Sequence, residues 1–231
     1  MKDYHPLERR ELPKYEAASL LETVRRSARE HGYRSFVWFG LVRLKDHWFN
    51  NWSMRAPWGG VRKWLQRKRG VKIGKNVHWG THIIVDYPYP NYVVVEDGAS
   101  ISGSDYFLAH CKPMEYLDSF VESFVAPIIV HKHAWIALNV TLMPGVEVGE
   151  GSIVSAGSIV SKDIPPFTVA QGNPAKVVAD IAEMVRHNYE PEEFERLLAE
   201  RKRKYKFCCP WISPSENTRN LSGLSSSPAI R

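Results

Sequence analysis

Residues 130–164 read VHKHAWIALNVTLMPGVEVGEGSIVSAGSIVSKDI, and in this stretch an aliphatic residue recurs at every sixth position. A second series, four residues after each of these, is mostly small or β-branched. A helix repeats at about 3.6 residues and a strand at about 2, so neither alone gives a strict period of six. This period is typical of a parallel β-helix, whose short strands wind around a triangular core. The two series are Val130, Ile136, Leu142, Val148, Val154 and Val160, and Ala134, Val140, Val146, Ser152, Ser158 and Ile164.

The same spacing extends upstream and predicts that the coil occupies residues 71–178. Two departures from it predict loops: about four extra residues within 86–92, and a longer excursion over 109–127. Long loops that interrupt a regular solenoid are often functional. The upstream residues in phase are Ile73, Trp79 and Val85, and then Val95, Ile101 and Phe107.

Residues 1–70 are predicted to form a helical, tryptophan-rich and basic extension, with an amphipathic helix over residues 15–32. Five of the eight tryptophans fall in this extension. They cap the open end of the β-helix as buried core or bind a membrane interface or a glycan, and the two roles can coexist. These tryptophans are Trp38, Trp48, Trp52, Trp58 and Trp64.

The C-terminal part of the chain is predicted to leave the coil after residue 178. Residues 176–188 and 191–206 have helical patterns, which gives a C-terminal helical segment over 179–206. Residues 207–231 are predicted to be disordered, because the tail from residue 213 is rich in serine. The fold class is therefore all-β, with an N-terminal helical extension and a C-terminal helix.

Composition restricts the environment and the partners of the chain. The net charge is +6, and its cations cluster within 62–75 and 201–206. Such blocks are solvated faces or contacts for anionic partners, and no nucleic-acid-binding motif accompanies them. The three cysteines form no disulfide framework, and we find neither a signal-peptide core nor an apolar run that could span a bilayer. We therefore expect a cytoplasmic protein, compatible with peripheral association at the inner face of the membrane.

Residues 130–178 resemble the hexapeptide-repeat acyltransferases, most of all their polysaccharide and sugar O-acetyltransferases, such as the colanic-acid and galactoside acetyltransferases. The resemblance implies a left-handed parallel β-helix, an exception to the usual right-handed crossover. It also implies a homotrimer that binds acetyl-CoA in the groove between neighbouring subunits. The matching signatures are WI at 135–136, PGV at 144–146, SAGS at 155–158, KDIPP at 162–166 and GNPAK at 172–176.

The resemblance implies that His110, at the start of the 109–127 excursion, is the catalytic base. Transfer of an acetyl group from a thioester to a hydroxyl requires a base for the hydroxyl proton, and a histidine suits this role at neutral pH. Related sugar enzymes often have an acid directly after this histidine, whereas Cys111 follows here. Either Asp105 or a backbone carbonyl is then expected to orient the imidazole. Cys111 as a nucleophile is disfavoured, because this family transfers acetyl directly.

Two acidic residues are candidates for binding the acceptor. Asp105 occupies a position of its hexad where most coils carry a small or apolar residue, and a buried acid there is costly without a partner. It therefore contacts His110 or the substrate, or else it is a solvated corner residue. Asp86, in the 86–92 loop, is a candidate for gripping an acceptor hydroxyl.

The resemblance also implies which residues line the acetyl-CoA groove. Small residues let the pantetheine arm lie against the coil, while lysines meet the phosphates; the alternative is that these lysines are solvated. Trp135 either lines the thioester end of the acetyl-CoA groove or joins two subunits. Ala137 stands where related enzymes usually have a glycine after Trp-Ile. The expected groove residues are Trp135, Ala137, Ala156, Ser161, Lys162 and Lys176.

Two other functions fit the same architecture less well. A γ-type carbonic anhydrase needs three converging zinc ligands, whereas the candidate histidines fall in distant coils, so we expect no metal. A non-catalytic scaffold or glycan-binding module is disfavoured by the complete SAGS and GNPAK motifs. We therefore predict acetyl-CoA-dependent O-acetylation of a sugar hydroxyl in a surface-polysaccharide or glycan precursor, with an amino sugar or a xenobiotic as alternative acceptors. The candidate zinc ligands are His78, His82, His131 and His133.

Overall fold

The computed structural model describes residues 7–12, 19–113, 117, 120–187, 189–193, 195–196 and 199–200. The chain divides into two units, residues 1–179 and residues 180–231. In chain order the described elements are β1 (Arg10–Glu11), α1 (Leu20–Glu30), α2 (Phe36–Arg55), α3 (Gly59–Arg69), β2 (Lys72–Ile73), β3 (His78–Thr81), β4 (Ile84–Val85), β5 (Val93–Val95), β6 (Ser100–Gly103), β7 (Tyr106–Phe107), β8 (His110–Cys111), β9 (Phe124–Val125), β10 (Ile128–Val130), β11 (Trp135–Ile136), β12 (Thr141–Leu142), β13 (Glu147–Val148), β14 (Ile153–Val154), β15 (Ile159–Val160), β16 (Thr168–Gly172), β17 (Ala175–Asp180) and α4 (Ile181–His187).

Three sheets form the faces of a β-helix, and successive strands of the coil up to β16 fall on different faces. The first sheet has the order β13-β10-β5-β2, the second β17-β16-β14-β11-β6-β3 and the third β15-β12-β7-β4. Strands on neighbouring coils pair in parallel; Trp135 lies between Ser100 on one coil and Ile153 on the next. The predicted parallel β-helix is therefore confirmed.

The two six-residue series fill the interior of this coil. Each of the twelve residues is at most 4% exposed, because both series point inward at every coil. Upstream, Trp79 and Phe107 continue the core as stacked rings with centroids 6.2 Å apart. The period of six in the sequence is thus the repeat of one face of the coil.

Helix α3 covers the open end of the β-helix, and it does so with residues other than tryptophan. Leu65 is buried, and the buried Arg62 guanidinium donates to the Trp79 carbonyl at 2.9 and 3.1 Å. Arg67 donates in the same way to the Ile73 carbonyl at 2.9 and 3.1 Å. These bonds satisfy carbonyls at the end of the coil that have no further strand to accept from.

The prediction that the five tryptophans form a buried cap is wrong, because their side chains are 52–70% exposed. The buried side of helix α2 is occupied by Phe39, Asp46 and Ser53, which are spaced by seven residues. This spacing keeps them on one side of the helix and leaves the tryptophans of α2 on the other. Helix α1 begins at Leu20, where the Ser19 hydroxyl accepts from the Glu22 N–H.

The predicted helix over residues 176–188 is wrong in its first turn, because residues 176–180 belong to strand β17. The chain turns at Asn173–Pro174 and returns beside β16, whose edge offers unpaired backbone groups. Helix α4 follows, with the Asp180 carboxylate accepting from the Glu183 N–H at 3.2 Å. Within 191–206 the described residues are helical, and the predicted disordered tail, 207–231, lies outside the described residues. Over the part of the chain that is described, no helix is long and apolar enough to cross a membrane.

Candidate active site

The two predicted loops leave the coil at neighbouring positions. Strands β4 and β7 pair Val85 with Phe107, so the residues after each strand lie on adjacent coils. The 86–92 loop departs directly after Val85 and contains a 3-10 turn at Pro90–Tyr92. The second loop leaves through β8, which pairs antiparallel with β9, and β1 adds a third strand to this small sheet.

Asp86 and His110 form a hydrogen-bonded pair where these loops meet. His110 Nδ1 lies 2.6 Å from Asp86 Oδ2, and the Asp86 side chain is completely buried whereas that of His110 is 32% exposed. The Ala109 N–H also donates to Oδ2 at 2.8 Å, and the Tyr89 N–H donates to Oδ1 at 3.0 Å. A carboxylate acceptor at Nδ1 places the imidazole proton there, which leaves the Nε2 lone pair able to accept a proton.

Tyr89 and His31 support the imidazole from the side of helix α1. The Tyr89 ring lies 5.5 Å from that of His110 and stacks on His31 at 4.9 Å, and burial raises the pKa of the Tyr89 phenol to about 12. The two ring nitrogens of His31 face the carbonyls of Ser27, at 2.8 Å, and Pro88, at 3.1 Å. His31 therefore connects helix α1 to the loop that carries Asp86.

Helices α2 and α3 hold the same loop. Arg43 donates to the Tyr87 carbonyl at 3.0 Å, its guanidinium lies 4.2 Å above the Tyr87 ring, and the Tyr87 hydroxyl donates to the Arg43 carbonyl at 3.2 Å. Buried Arg69 donates to the Asp86 carbonyl at 3.2 Å, and its burial lowers the pKa of the guanidinium to about 10. The N-terminal extension thus contributes to the position of Asp86, a role that the sequence did not suggest.

Asp105 is buried in a corner of the coil. Its Oδ2 accepts from the Gly103 N–H at 2.9 Å and its Oδ1 from the Val140 N–H at 2.8 Å, which links two coils. The solvated-corner alternative is wrong, and Asp86 rather than Asp105 holds the His110 ring. Burial raises the pKa of Asp105 to about 6, an effect that the two backbone hydrogen bonds reduce.

The raised pKa of Asp105 predicts a loss of stability as the pH rises. Between its ordinary pKa of 3.8 and about 6, the folded protein keeps a proton on Asp105 that the unfolded chain has lost. The stabilisation is therefore complete below about pH 4 and lost above about pH 6, a change of about 3 kcal/mol.

Urea unfolding of the wild type and of Asp105→Asn at about pH 4 and about pH 7 checks this, because the variant lacks the titrating group. We expect the stability of the wild type relative to the variant to decrease between these pH values. A difference in unfolding free energy that stays constant across the range would contradict the prediction. The comparison between the two proteins removes the contributions of the other carboxylates.

The expected acetyl-CoA residues lie at the surface of the coil. Trp135 is half-exposed on β11, and its indole N–H donates to the Ser102 hydroxyl at 2.9 Å. The Ala137 N–H donates to the Val154 carbonyl at 3.0 Å, which places Ala137 one coil from Ala156. No hydrogen bond between described residues joins this set to Asp86 or His110. The other four residues expected in the acetyl-CoA groove are also exposed: Ala156, Ser161, Lys162 and Lys176.

The four histidines considered as zinc ligands do not converge in the described part of the chain. No group of three or more His, Cys, Asp or Glu side chains among the described residues is placed to hold a metal ion. His131 instead contacts Glu96, 3.3 Å from Nδ1, and Glu147, 3.1 Å from Nε2, so it links neighbouring coils. Cys111 has a partly buried free thiol beside His110 on β8.

Comparisons with solved structures agree with the observed architecture. The chain matches a hexapeptide-repeat acetyltransferase of Vibrio cholerae, solved in complex with acetyl-CoA, with a TM-score of 0.52 and 21% identity. The match covers 62% of this chain and 88% of the other. At this identity the likeness shows the fold, which is the left-handed parallel β-helix of the hexapeptide-repeat acetyltransferases.

Comparison with curated sequences shows the family of the chain as well as its fold. It is 31% identical over 130 residues to the putative acetyltransferase YvoF of Bacillus subtilis (strain 168), covering 56% of this chain and 72% of the relative. It is 30% identical over 138 residues to the galactoside O-acetyltransferase of Escherichia coli (strain K12), covering 56% of this chain and 66% of that protein. No protein-family model matches the chain. The two relatives, the repeat and the fold together establish that this chain belongs to the hexapeptide-repeat acetyltransferases, a family of acyltransferase enzymes.

Proposed function

We propose that this protein transfers the acetyl group of acetyl-CoA to a hydroxyl of a sugar, with His110 as the general base. The observation that carries the proposal is the Asp86–His110 pair, a partly exposed imidazole held by a buried carboxylate. The acceptor class is supported by the relative that is a galactoside O-acetyltransferase, and the donor by the acetyl-CoA complex of similar fold. Within this class we propose a surface-polysaccharide or glycan precursor as the acceptor.

The chemistry requires one proton acceptor and no covalent enzyme intermediate. His110 Nε2 takes the proton of the acceptor hydroxyl as its oxygen attacks the thioester carbonyl, and a tetrahedral adduct forms. When the adduct collapses, the C–S bond breaks and the imidazolium returns the proton to the CoA thiolate. The Asp86 carboxylate stabilises the imidazolium through Nδ1 and fixes the ring for both steps.

We place acetyl-CoA on the coil surface that carries the six expected groove residues. The exposed ammonium groups of Lys162 and Lys176 are suited to the phosphates, and Ala137 and Ala156 leave room for the pantetheine arm. We further propose a homotrimer, in which the groove of one subunit lies beside the His110 of its neighbour. This arrangement accounts for a base and a groove that share no hydrogen bond among the described residues of one chain.

Titration calorimetry with acetyl-CoA tests the donor half of the proposal. We expect saturable binding at one site per chain, and a roughly tenfold weaker affinity for each of Lys162→Ala and Lys176→Ala, because a hydrogen bond to a charged group contributes about 1.5–3 kcal/mol. Lys132→Ala, which removes an exposed lysine from another corner, is the matched control and should bind like the wild type. The absence of acetyl-CoA binding by the folded protein would contradict the proposal.

A further inference from the structure

The outer side of helix α2 is apolar although it faces away from the protein. Six large apolar residues are 54–63% exposed, and five of them, from Trp38 to Trp52, recur every three or four positions, so they share one side of the helix. A helix of 20 residues is about 30 Å long, and the apolar row runs along most of it. We call this row the outer face; it consists of Val37, Trp38, Leu41, Leu44, Trp48 and Trp52.

Helix α3 and the turn before it expose two further tryptophans. Trp58, between the helices, is 70% exposed, and Trp64 lies beside Phe49 of α2 with ring centroids 6.1 Å apart. The Lys68 ammonium lies 5.9 Å from the centre of the Trp64 ring. Soluble proteins rarely expose an apolar surface of this extent unless it binds something.

The charged residues of segment 36–69 favour an anionic partner for this surface. Residues 36–69 contain eight lysines and arginines against a single acid, Asp46, a net charge of +7, whereas the whole chain carries +6. Arg62 and Arg69 are buried, and the exposed cations of this segment are Lys45, Arg55, Arg67 and Lys68. Asp46 is buried, so no described acidic side chain of this segment is exposed to offset the cations.

We propose that the outer face docks on an anionic lipid surface, with helix α2 lying in the plane of the membrane. Tryptophan prefers the membrane–water interface, and exposed cations around an apolar face are attracted to anionic headgroups. A second copy of the chain is disfavoured as the partner, because it would bring the same cationic surface against this one. Through Arg43 the same helix also holds the loop that carries Asp86.

Vesicle co-sedimentation of the full-length protein tests the proposal. We expect binding to phosphatidylcholine vesicles that contain phosphatidylglycerol, with a blue shift of tryptophan emission, and at least tenfold weaker binding to pure phosphatidylcholine. Arg55→Gln and Lys68→Gln should each weaken anionic-vesicle binding about fivefold, since one cation near such a surface contributes about 1 kcal/mol.

A second pair of variants separates the apolar contribution from the electrostatic one. The double substitution Trp48→Ser and Trp52→Ser should weaken vesicle binding by about tenfold or more, because less apolar area enters the interface. Leu138→Ser is the matched control, since Leu138 on the coil is as exposed as Trp48, at 57%, and its variant should bind like the wild type.

Three results would overturn the proposal. The first is failure of the wild type to sediment with anionic vesicles, and the second is equal binding to neutral and anionic vesicles. The third is a change of oligomeric state, rather than of vesicle binding, in the tryptophan double variant, which would make the outer face a contact between copies of the chain.

Discussion

Replacing His110 with alanine is expected to lower kcat for acetyl transfer about 10³-fold, within the usual contribution of general acid–base catalysis. Without the imidazole, the acceptor hydroxyl has no group to take its proton during attack. Acetyl-CoA affinity should stay within about twofold, because His110 acts on the acceptor and on the transition state rather than on the phosphates. The measurement is the initial rate of CoA thiol release with a saturating sugar acceptor.

The matched control for this substitution is His78→Ala. His78 is an exposed histidine on strand β3, whereas the loop that carries Asp86 follows strand β4 of another sheet. Its replacement should leave kcat unchanged. Activity of His110→Ala within about tenfold of the wild type would contradict the assignment of the base, because this residual effect is smaller than the smallest one expected from a lost general base.

Replacing Asp86 with asparagine is expected to lower kcat about 100-fold, with a much smaller effect on the KM for acetyl-CoA. The carboxamide of asparagine can donate an N–H to Nδ1, and the imidazole proton then moves to Nε2. Nε2 is the atom that must take the proton from the sugar hydroxyl. The substitution thus favours the wrong tautomer without removing the base. Steady-state kinetics that vary each substrate separately give kcat and both KM values.

A double variant distinguishes positioning by Asp86 from a general effect on folding. Asp86 also accepts from the Ala109 and Tyr89 N–H groups, so Asp86→Asn should cost some stability as well. If Asp86 acts through His110, adding Asp86→Asn to His110→Ala should cost little further activity. Full multiplication of the two losses would show that Asp86 affects catalysis by another route.

The coil was predictable from the sequence because its repeat is short and its core positions are strict. Each inward residue, from Val130 to Val160, occupies the equivalent position on its own face of the coil. If the repeat were shifted by one residue, these aliphatic side chains would point into water. Such a pattern needs no knowledge of neighbouring segments. The position of His110 followed from a resemblance of motif order, and its role as the base is still a prediction.

From the sequence, the partner of His110 stays open between Asp105 and a backbone carbonyl, and the contact with Asp86 depends on an insertion. Asp86 and His110 are 24 residues apart, and the four extra residues of the 86–92 loop bring them to the same corner of adjacent coils. The signal was present, since Val85 and Phe107 are in phase and the residues that follow them must be neighbours. Asp105 was closer in sequence, but its side chain is directed into the corner between coils.

The direction of the tryptophans could not be predicted, because helical periodicity shows which residues share a side but not which side is buried. On α2 the apolar row and the row of Phe39, Asp46 and Ser53 are both regular, and contacts with the coil decide between them. Strand β17 was missed for a similar reason. Residues 176–180 have a helical pattern, and the edge of β16 supplies the hydrogen bonds that outweigh it.

The measurement that tests the central claim most directly is mass spectrometry of the products after incubation of the purified protein with acetyl-CoA and a panel of sugars. The panel contains galactosides, glucosides and amino sugars, and His110→Ala is treated in parallel. We predict that a sugar gains one acetyl ester on oxygen with the wild type and that His110→Ala forms far less of it. Acetylation that proceeds equally with His110→Ala, or only on the nitrogen of amino sugars, would contradict this account.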